Sequence, residues 1–217
     1  MKITTPIFFS DRTDAGQQLA RKLTDYADHE NVLVLGMVRG GLVVAAEVAI
    51  ALKLPLDIIV CRKIGAPWNA ELGVGALRPD GKILLNEYVM QKCNVDKASL
   101  APIIEEERRE LARRLAAYRG DLAAPDLKNK TVILVDDGIA TGSTIQAALA
   151  YLRDGGVAKI IIAAPIIGTR SFNLLRTNVD EVVAVTVQEK FEDIADFYQS
   201  FPDSTDKEVM AILDAQH

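Results

Sequence analysis

The stretch TVILVDDGIATGST, Thr131 to Thr144, decides how this chain folds. Its first five residues are apolar or β-branched without a break, which is how a strand buried on both faces reads. Two adjacent carboxylates, Asp136 and Asp137, stand at the carboxyl end of that strand, and a glycine-containing loop leads from them into a helix. In an open α/β sheet, that end of the strands is where ligands bind. The loop Gly138, Ile139, Ala140, Thr141, Gly142, Ser143 and Thr144 presents unpaired backbone N–H groups and the positive end of the helix dipole, a combination suited to phosphate. Gly138 and Gly142 are expected to let the backbone approach that phosphate closely. Asp136 and Asp137 cannot face the same phosphate without repulsion, so their partner is a neutral donor or a metal. The vicinal hydroxyls of a ribose fit, because hydroxyls donate where carboxylates accept. Together the two halves describe a cradle for ribose 5-phosphate.

Rival readings fail on particular residues. A nucleotide P-loop needs GxxxxGK[ST], whereas the spacing here is shorter and no lysine precedes the Ser or Thr. A receiver-type acidic pair belongs on the first strand of a short domain, and this pair follows about 130 residues of chain.

Outward from this stretch, further apolar runs at Val32 to Leu35, Leu56 to Cys61, Lys159 to Ala164 and Glu181 to Val187 read as buried strands. They alternate with helical segments. GLVVAAEVAIALKL follows the first strand, and in STIQAALAYLRDGG the residues Ile145, Ala148, Leu149 and Leu152 share one helix face, with Gly155 and Gly156 as the stop. Strand and helix in alternation predict a doubly wound parallel α/β sheet. Lys82 to Leu85 reads as a short extended stretch, Lys97 to Tyr118 as a long helix, and its segment EEERRE as a solvated face with i,i+4 charge pairs. The last 25 residues or so predict two short helices broken at Pro202, the second capped by Ser204 or Thr205, forming an appendage over a sheet edge. At 217 residues, the chain is expected to be a single domain, 1–217, with a core of about 30–190 and an appendage from the N-terminal segment and about 191–217.

Composition bounds the partners. Twenty-five Lys and Arg against 30 Asp and Glu give a net charge of -5, which argues against nucleic acid as a partner. The longest apolar run, Ile160 to Ile167, is under half a membrane span, so no membrane partner and a cytoplasmic location are expected. Cys61 and Cys93 have no metal-like spacing and read as reduced thiols.

A second anion site is predicted at MVRGG, Met37 to Gly41, which also joins a strand to a helix N-terminus. There Arg39 adds a fork of donors suited to phosphate, and Gly40 and Gly41 open the helix. The next strand run ends in Cys61, Arg62 and Lys63, whose basic pair is placed at the ligand end of the sheet. The glycine-rich segment Ile64 to Gly75 then reads as a mobile lid. The aromatics Phe191, Phe197, Tyr198 and Phe201 fit the lining of an acceptor pocket or, as the favoured reading, packing of the terminal helices, and His29 and His217 receive no role.

VILVDDGIATGST resembles the phosphoribosyl pyrophosphate (PRPP) motif of type I phosphoribosyltransferases, and the likeness extends over nearly the whole chain. FFSDRTDAGQQLA, VLGMVRGGLVVAAEVA, VCRKIGAPWNAELGVGAL and the terminal FPDSTDKEV are similar to a bacterial subgroup whose acceptor is undefined. The resemblance implies that Asp136 and Asp137 hold the ribose hydroxyls, Gly138 to Thr144 the 5-phosphate, and Arg39, Gly40 and Gly41 the pyrophosphate. It further implies Mg2+ held mainly by PRPP, with no metal site built directly by the protein, a flexible loop at Ile64 to Gly75, a dimer, and a hood over the acceptor. The expected activity is transfer of ribose 5-phosphate to a nitrogenous acceptor with release of pyrophosphate. Arg39, Arg62 and Lys63 would neutralise the leaving group. Ala140 stands where the 6-oxopurine branch commonly has an acidic residue, which counts against hypoxanthine or guanine. Rival functions are a non-catalytic PRPP sensor on the same fold and a hydrolase using water as acceptor.

Overall fold

From the amino terminus, Asp11 accepts the N–H of Asp14 and so opens α1 (Arg12–Ala20). The wholly buried β1 (Val32–Met37) leads through Arg39 into α2 (Gly40–Leu52), and β2 (Leu56–Ile59) follows. Next come β3 (Arg62–Ala66), β4 (Asn69–Leu77), β5 (Ile83–Leu85), the short α3 (Glu87–Lys92) and the long α4 (Lys97–Arg119). The chain then runs through β6 (Thr131–Val135), α5 (Ser143–Asp154), β7 (Lys159–Gly168), α6 (Thr169–Arg176) and β8 (Glu181–Gln188) to α7 (Asp206–Asp214). The computed structural model describes residues 8–120, 122–140, 142–189, 191 and 193–215, so the expectations for Thr141, for the Ser143 side chain and for His217 lie outside it.

The described chain falls into two compact units. The first, Met1–Ile58, Pro125–Thr141 and Gly156–His217, holds a five-stranded sheet in the order β2-β1-β6-β7-β8. β1 pairs with β6, β6 with β7 and β7 with β8, all parallel. This is the expected doubly wound α/β arrangement: from β1 the chain winds outward to β2, and from β6 it winds the other way to β7 and β8. Gly36 of β1 and Val135 of β6 are partners in register, so the carboxyl ends of the two strands lie side by side at the point where the winding reverses. Such a switch point opens a crevice beyond the strand ends. β7 continues to Gly168, past the apolar run that marked it, because Ile166 to Gly168 pair with Thr186 to Gln188 of β8 and Ile167 bridges Ile139.

The second unit, Ile59–Ala124 and Gly142–Gly155, corrects two expectations. β2 ends at Ile59, and Arg62 and Lys63 begin β3 of an antiparallel sheet β3-β4-β5 rather than ending a strand of the parallel one. The segment Ile64 to Gly75 is not a loop but the β3–β4 hairpin, turning at Pro67 and Trp68. Its glycines read as flexibility but serve close packing: a Cβ on Gly65 would stand 2.6 Å from the Cα and carbonyl oxygen of Ala70, at a register shift between the strands. On α4, Glu110 pairs with Arg113 and Arg114, and the Arg113 bond first holds its carboxyl down at about 2, while Glu107 is drawn into a bond with Arg62.

The termini also depart from expectation. The first of the two predicted terminal helices is a single 3-10 turn, Ile194–Phe197, and Pro202 lies in an extended segment before α7, whose cap is Thr205. Phe9 and Tyr198 bridge in parallel, and Phe9, Ile166, Phe197 and Tyr198 form a buried cluster with Phe191, Ile194 and Phe201 against it, so the aromatics do pack. Among the described residues no helix is long and apolar enough to cross a membrane.

Candidate active site

The switch point brings the two predicted loops of the first unit into contact. Asp136, whose N–H donates to Ala163 O, and Asp137 leave the end of β6 directly against the first turn of α2. A Cβ on Gly41 would stand 2.7 Å from Asp136 Oδ1, and one on Gly40 would collide with Asp137 Oδ2. The two glycines are therefore needed to seat the acid pair. Both carboxylates consequently lie at the positive end of α2, which favours their charge.

The two acids differ in environment. Asp136 is half-buried, and its Oδ1 accepts the N–H of Asp137. Burial, reinforced by the neighbouring Asp137 charge, pushes the Asp136 carboxyl well above its ordinary value. Asp137 is held by a residue the sequence did not single out: Arg12 Nε donates to Asp137 Oδ2 at 2.8 Å, with 10% of the Arg12 side chain and 15% of the Asp137 side chain exposed. Tyr198 donates its hydroxyl to the Asp137 carbonyl at 2.6 Å; burial, then the Asp137 charge, push its pKa well above the ordinary phenol value, so that it remains a donor. Arg12 is legible only as part of FFSDRTDAG, since nothing local marks it and its partner lies 125 residues away.

The loop after the acids is anchored more tightly than expected. Ile139 is buried, its N–H donates to Ile166 O, and its carbonyl accepts from Gly168 N, so its N–H is already engaged. Ser171 Oγ fixes the Ala140 carbonyl at 2.6 Å. Gly138 is packed by the protein itself: a Cβ there would meet Ile194 Cγ2 at 2.5 Å. Gly142 takes the left-handed conformation, φ 72°, and opens α5 without a side-chain cap. Arg39 likewise opens α2 without one, across a cis peptide bond from Val38, whereas α1, α3, α4 and α7 begin with Asp11, Asn86, Asp96 and Thr205 as caps. The two helices that follow the predicted anion loops thus keep first-turn N–H groups that no side chain of their N-cap satisfies, as does α6.

The predicted cations are engaged with carboxylates. Arg39 lies 3.8 Å from Asp206 in the first unit. In the second unit, Arg62 pairs with Glu107 at 2.6 Å and Lys63 with Glu71 at 2.8 Å. Among the described residues no group of three or more His, Cys, Asp or Glu is placed to hold a metal ion. Asp136 and Asp137 offer oxygen ligands of the kind a hard cation takes, but Asp137 Oδ2 is already bonded to Arg12.

Comparison with known families matches residues 10–200 to the phosphoribosyl transferase domain. The chain belongs to the phosphoribosyltransferase family. A Mycobacterium tuberculosis protein, whose name gives phosphoribosyl transferase as a provisional assignment, is 38% identical over 209 residues, covering 96% of this chain and 47% of its own. The chain thus spans about half the length of that curated relative. A ribose-phosphate pyrophosphokinase of Thermoplasma volcanium is 38% identical over 73 residues, 32% of this chain and 26% of its own. In structure, the phosphoribosyltransferase fold of this chain is matched by a crystal structure of a Thermus thermophilus protein at a TM-score of 0.78 and 36% identity. That match covers 95% of this chain and 98% of the other.

Proposed function

We propose that the chain binds PRPP in the crevice at the ends of β1 and β6 and transfers ribose 5-phosphate to a nitrogen nucleophile, releasing pyrophosphate. The observation that carries this reading is the acid pair Asp136–Asp137 seated on Gly40 and Gly41, with Asp137 bonded to Arg12. Two carboxylates fixed beside a helix start can accept from a ribose diol while the uncapped start of α5 takes the 5-phosphate. Holding the sugar in this way removes motion that the reaction would otherwise have to freeze out. Arg39 stabilises the charge that develops on the departing pyrophosphate, and the same role is proposed for Arg62 and Lys63. Magnesium, carried by PRPP, supplies further neutralisation of that charge. A cytoplasmic homodimer acting on small molecules completes the proposal.

The engagement of Arg62 and Lys63 by glutamates favours a second reading, a PRPP-sensing protein without catalysis. One experiment separates the two. Nucleobases and small amines are screened with PRPP and magnesium, and pyrophosphate release is followed. Release with one acceptor class and not with water supports the transferase; tight PRPP binding with no release under any acceptor supports the sensor. Release at equal rate without an acceptor marks a hydrolase.

A further inference from the structure

We propose that Arg12 is a positioning residue that sets the orientation of the Asp137 carboxylate and ties it to the C-terminal segment through Phe201 and Pro202. This rests on the PRPP reading of the acid pair and assigns a new member to that site. Arg12 is nine-tenths buried although it is an arginine in the first turn of α1, and its guanidinium makes three contacts. Nε donates to Asp137 Oδ2 at 2.8 Å, Nη1 donates to the Pro202 carbonyl at 2.6 Å, and the guanidinium lies 3.7 Å from the centre of the Phe201 ring.

The physical need is plain from the neighbours. Two adjacent carboxylates, both half-buried, repel each other, and a charge withdrawn from water without a partner is unfavourable. A planar fork stacked on a ring has few ways to move, so the oxygen it holds is fixed in direction as well as in charge. Nor could lysine replace it, since a single ammonium on a flexible stem cannot hold Asp137, reach Pro202 and stack on Phe201 together. The C-terminal residues meet the same site elsewhere: Tyr198 donates to the Asp137 carbonyl, and Asp206 lies beside Arg39. Segments from both ends of the chain therefore converge on Asp137, α1 on its carboxylate and Tyr198 on its backbone carbonyl, and Arg12 links the two.

A double-mutant cycle in PRPP affinity, read by calorimetry on the full chain, tests this. Arg12→Gln is expected to weaken PRPP binding about ten-fold or more, the scale of a lost charge-assisted hydrogen bond. In an Asp137→Asn background, the same change should add less than about two-fold, because its route of action is already gone. Arg12→Lys should fall between wild type and Arg12→Gln, and it carries the cycle if Arg12→Gln does not fold. Wild-type affinity in Arg12→Gln, or effects of Arg12 and Asp137 that simply multiply, would overturn the proposal. Absence of PRPP binding by the wild-type chain would instead overturn the reading of the site on which it rests.

Discussion

Asp136 and Gly41 are packed so closely that a single methyl group cannot be placed between them: a Cβ on Gly41 would lie 2.7 Å from Asp136 Oδ1, 2.8 Å from its Cα and 3.0 Å from the Val135 carbonyl. Two of those three atoms belong to backbone and cannot turn away. Gly41→Ala should therefore push the end of β6 from α2 and cost about 1 to 3 kcal/mol of stability, as overpacking does. PRPP affinity should drop with it by at least ten-fold. Denaturant unfolding and calorimetry on the same variant check both; an unchanged affinity would show that the acid pair does not need this seat.

The Asp136 carboxyl ties stability to pH. Its carboxyl is raised in the folded chain, so the folded state holds that proton more tightly than the unfolded state does. The contribution to stability is complete below the unfolded value of about 3.9 and is lost as pH rises through the folded value. At pH 7.5 this acid opposes folding relative to a neutral side chain, and Asp136→Asn, which keeps the oxygen that accepts Asp137 N–H, should unfold at a higher temperature than wild type. The gain should vanish toward pH 4 and below, while PRPP affinity falls by about one to two orders of magnitude. Thermal scans across pH that give Asn a lower Tm at pH 7.5 would mean that Arg12 and α2 fully offset the buried charge.

Lys63 and Thr144 separate the leaving group from the sugar phosphate. Only contacts that strengthen in the transition state raise the chemical rate. Lys63→Ala should lower kcat more than it raises KM for PRPP, and Thr144→Ala should act chiefly on KM. Glu71, the exposed partner of Lys63, is expected to matter little to the fold, so Glu71→Gln should change stability by less than about 1 kcal/mol. Single-turnover rates for Lys63→Ala equal to wild type would leave Lys63 as a binding residue only.

Asp206 competes with any anion for Arg39. The pair is long at 3.8 Å and partly exposed, so its effect is modest and salt-dependent. Asp206→Asn is expected to tighten pyrophosphate binding by roughly two- to five-fold at low ionic strength, with the gain fading as salt is added. Weaker pyrophosphate binding in this variant would indicate that Asp206 orients Arg39 rather than competing for it.

What the sequence makes legible follows from how local the signal is. β1 and β6 are continuous apolar runs because both faces of the sheet are covered, and the acid pair is visible because two carboxylates end such a run. Arg12 is invisible by the same logic: its partners Asp137 and Pro202 are distant in sequence, and a charged residue in a polar helix reads as surface. The hairpin from Arg62 to Leu77 is misread because glycine marks both free loops and places where backbones touch, and only Ala70 against Gly65 tells the two apart. The short helices α3 and α6 span too few turns for an apolar period to show.

Whether that hairpin still moves is a separate matter from whether it is ordered, and Trp68 can report it. Trp68 is the chain's one tryptophan, so the emission carries no second source. It sits at the turn between β3 and β4 with 61% of its surface exposed, beside a hairpin stitched by Lys63–Glu71 and bent by the shift at Gly65. An exposed indole emits at long wavelength and is open to a charged quencher. If the hairpin closes over bound PRPP to exclude water, saturating PRPP with magnesium should shift the Trp68 emission to the blue and reduce quenching by iodide several-fold. Ribose 5-phosphate, which lacks the pyrophosphate that Lys63 would meet, should produce little of either change. Identical spectra and quenching with and without PRPP, in a sample shown by calorimetry to be saturated, would remove the lid from the mechanism and leave Arg39 and magnesium as the leaving-group stabilisers.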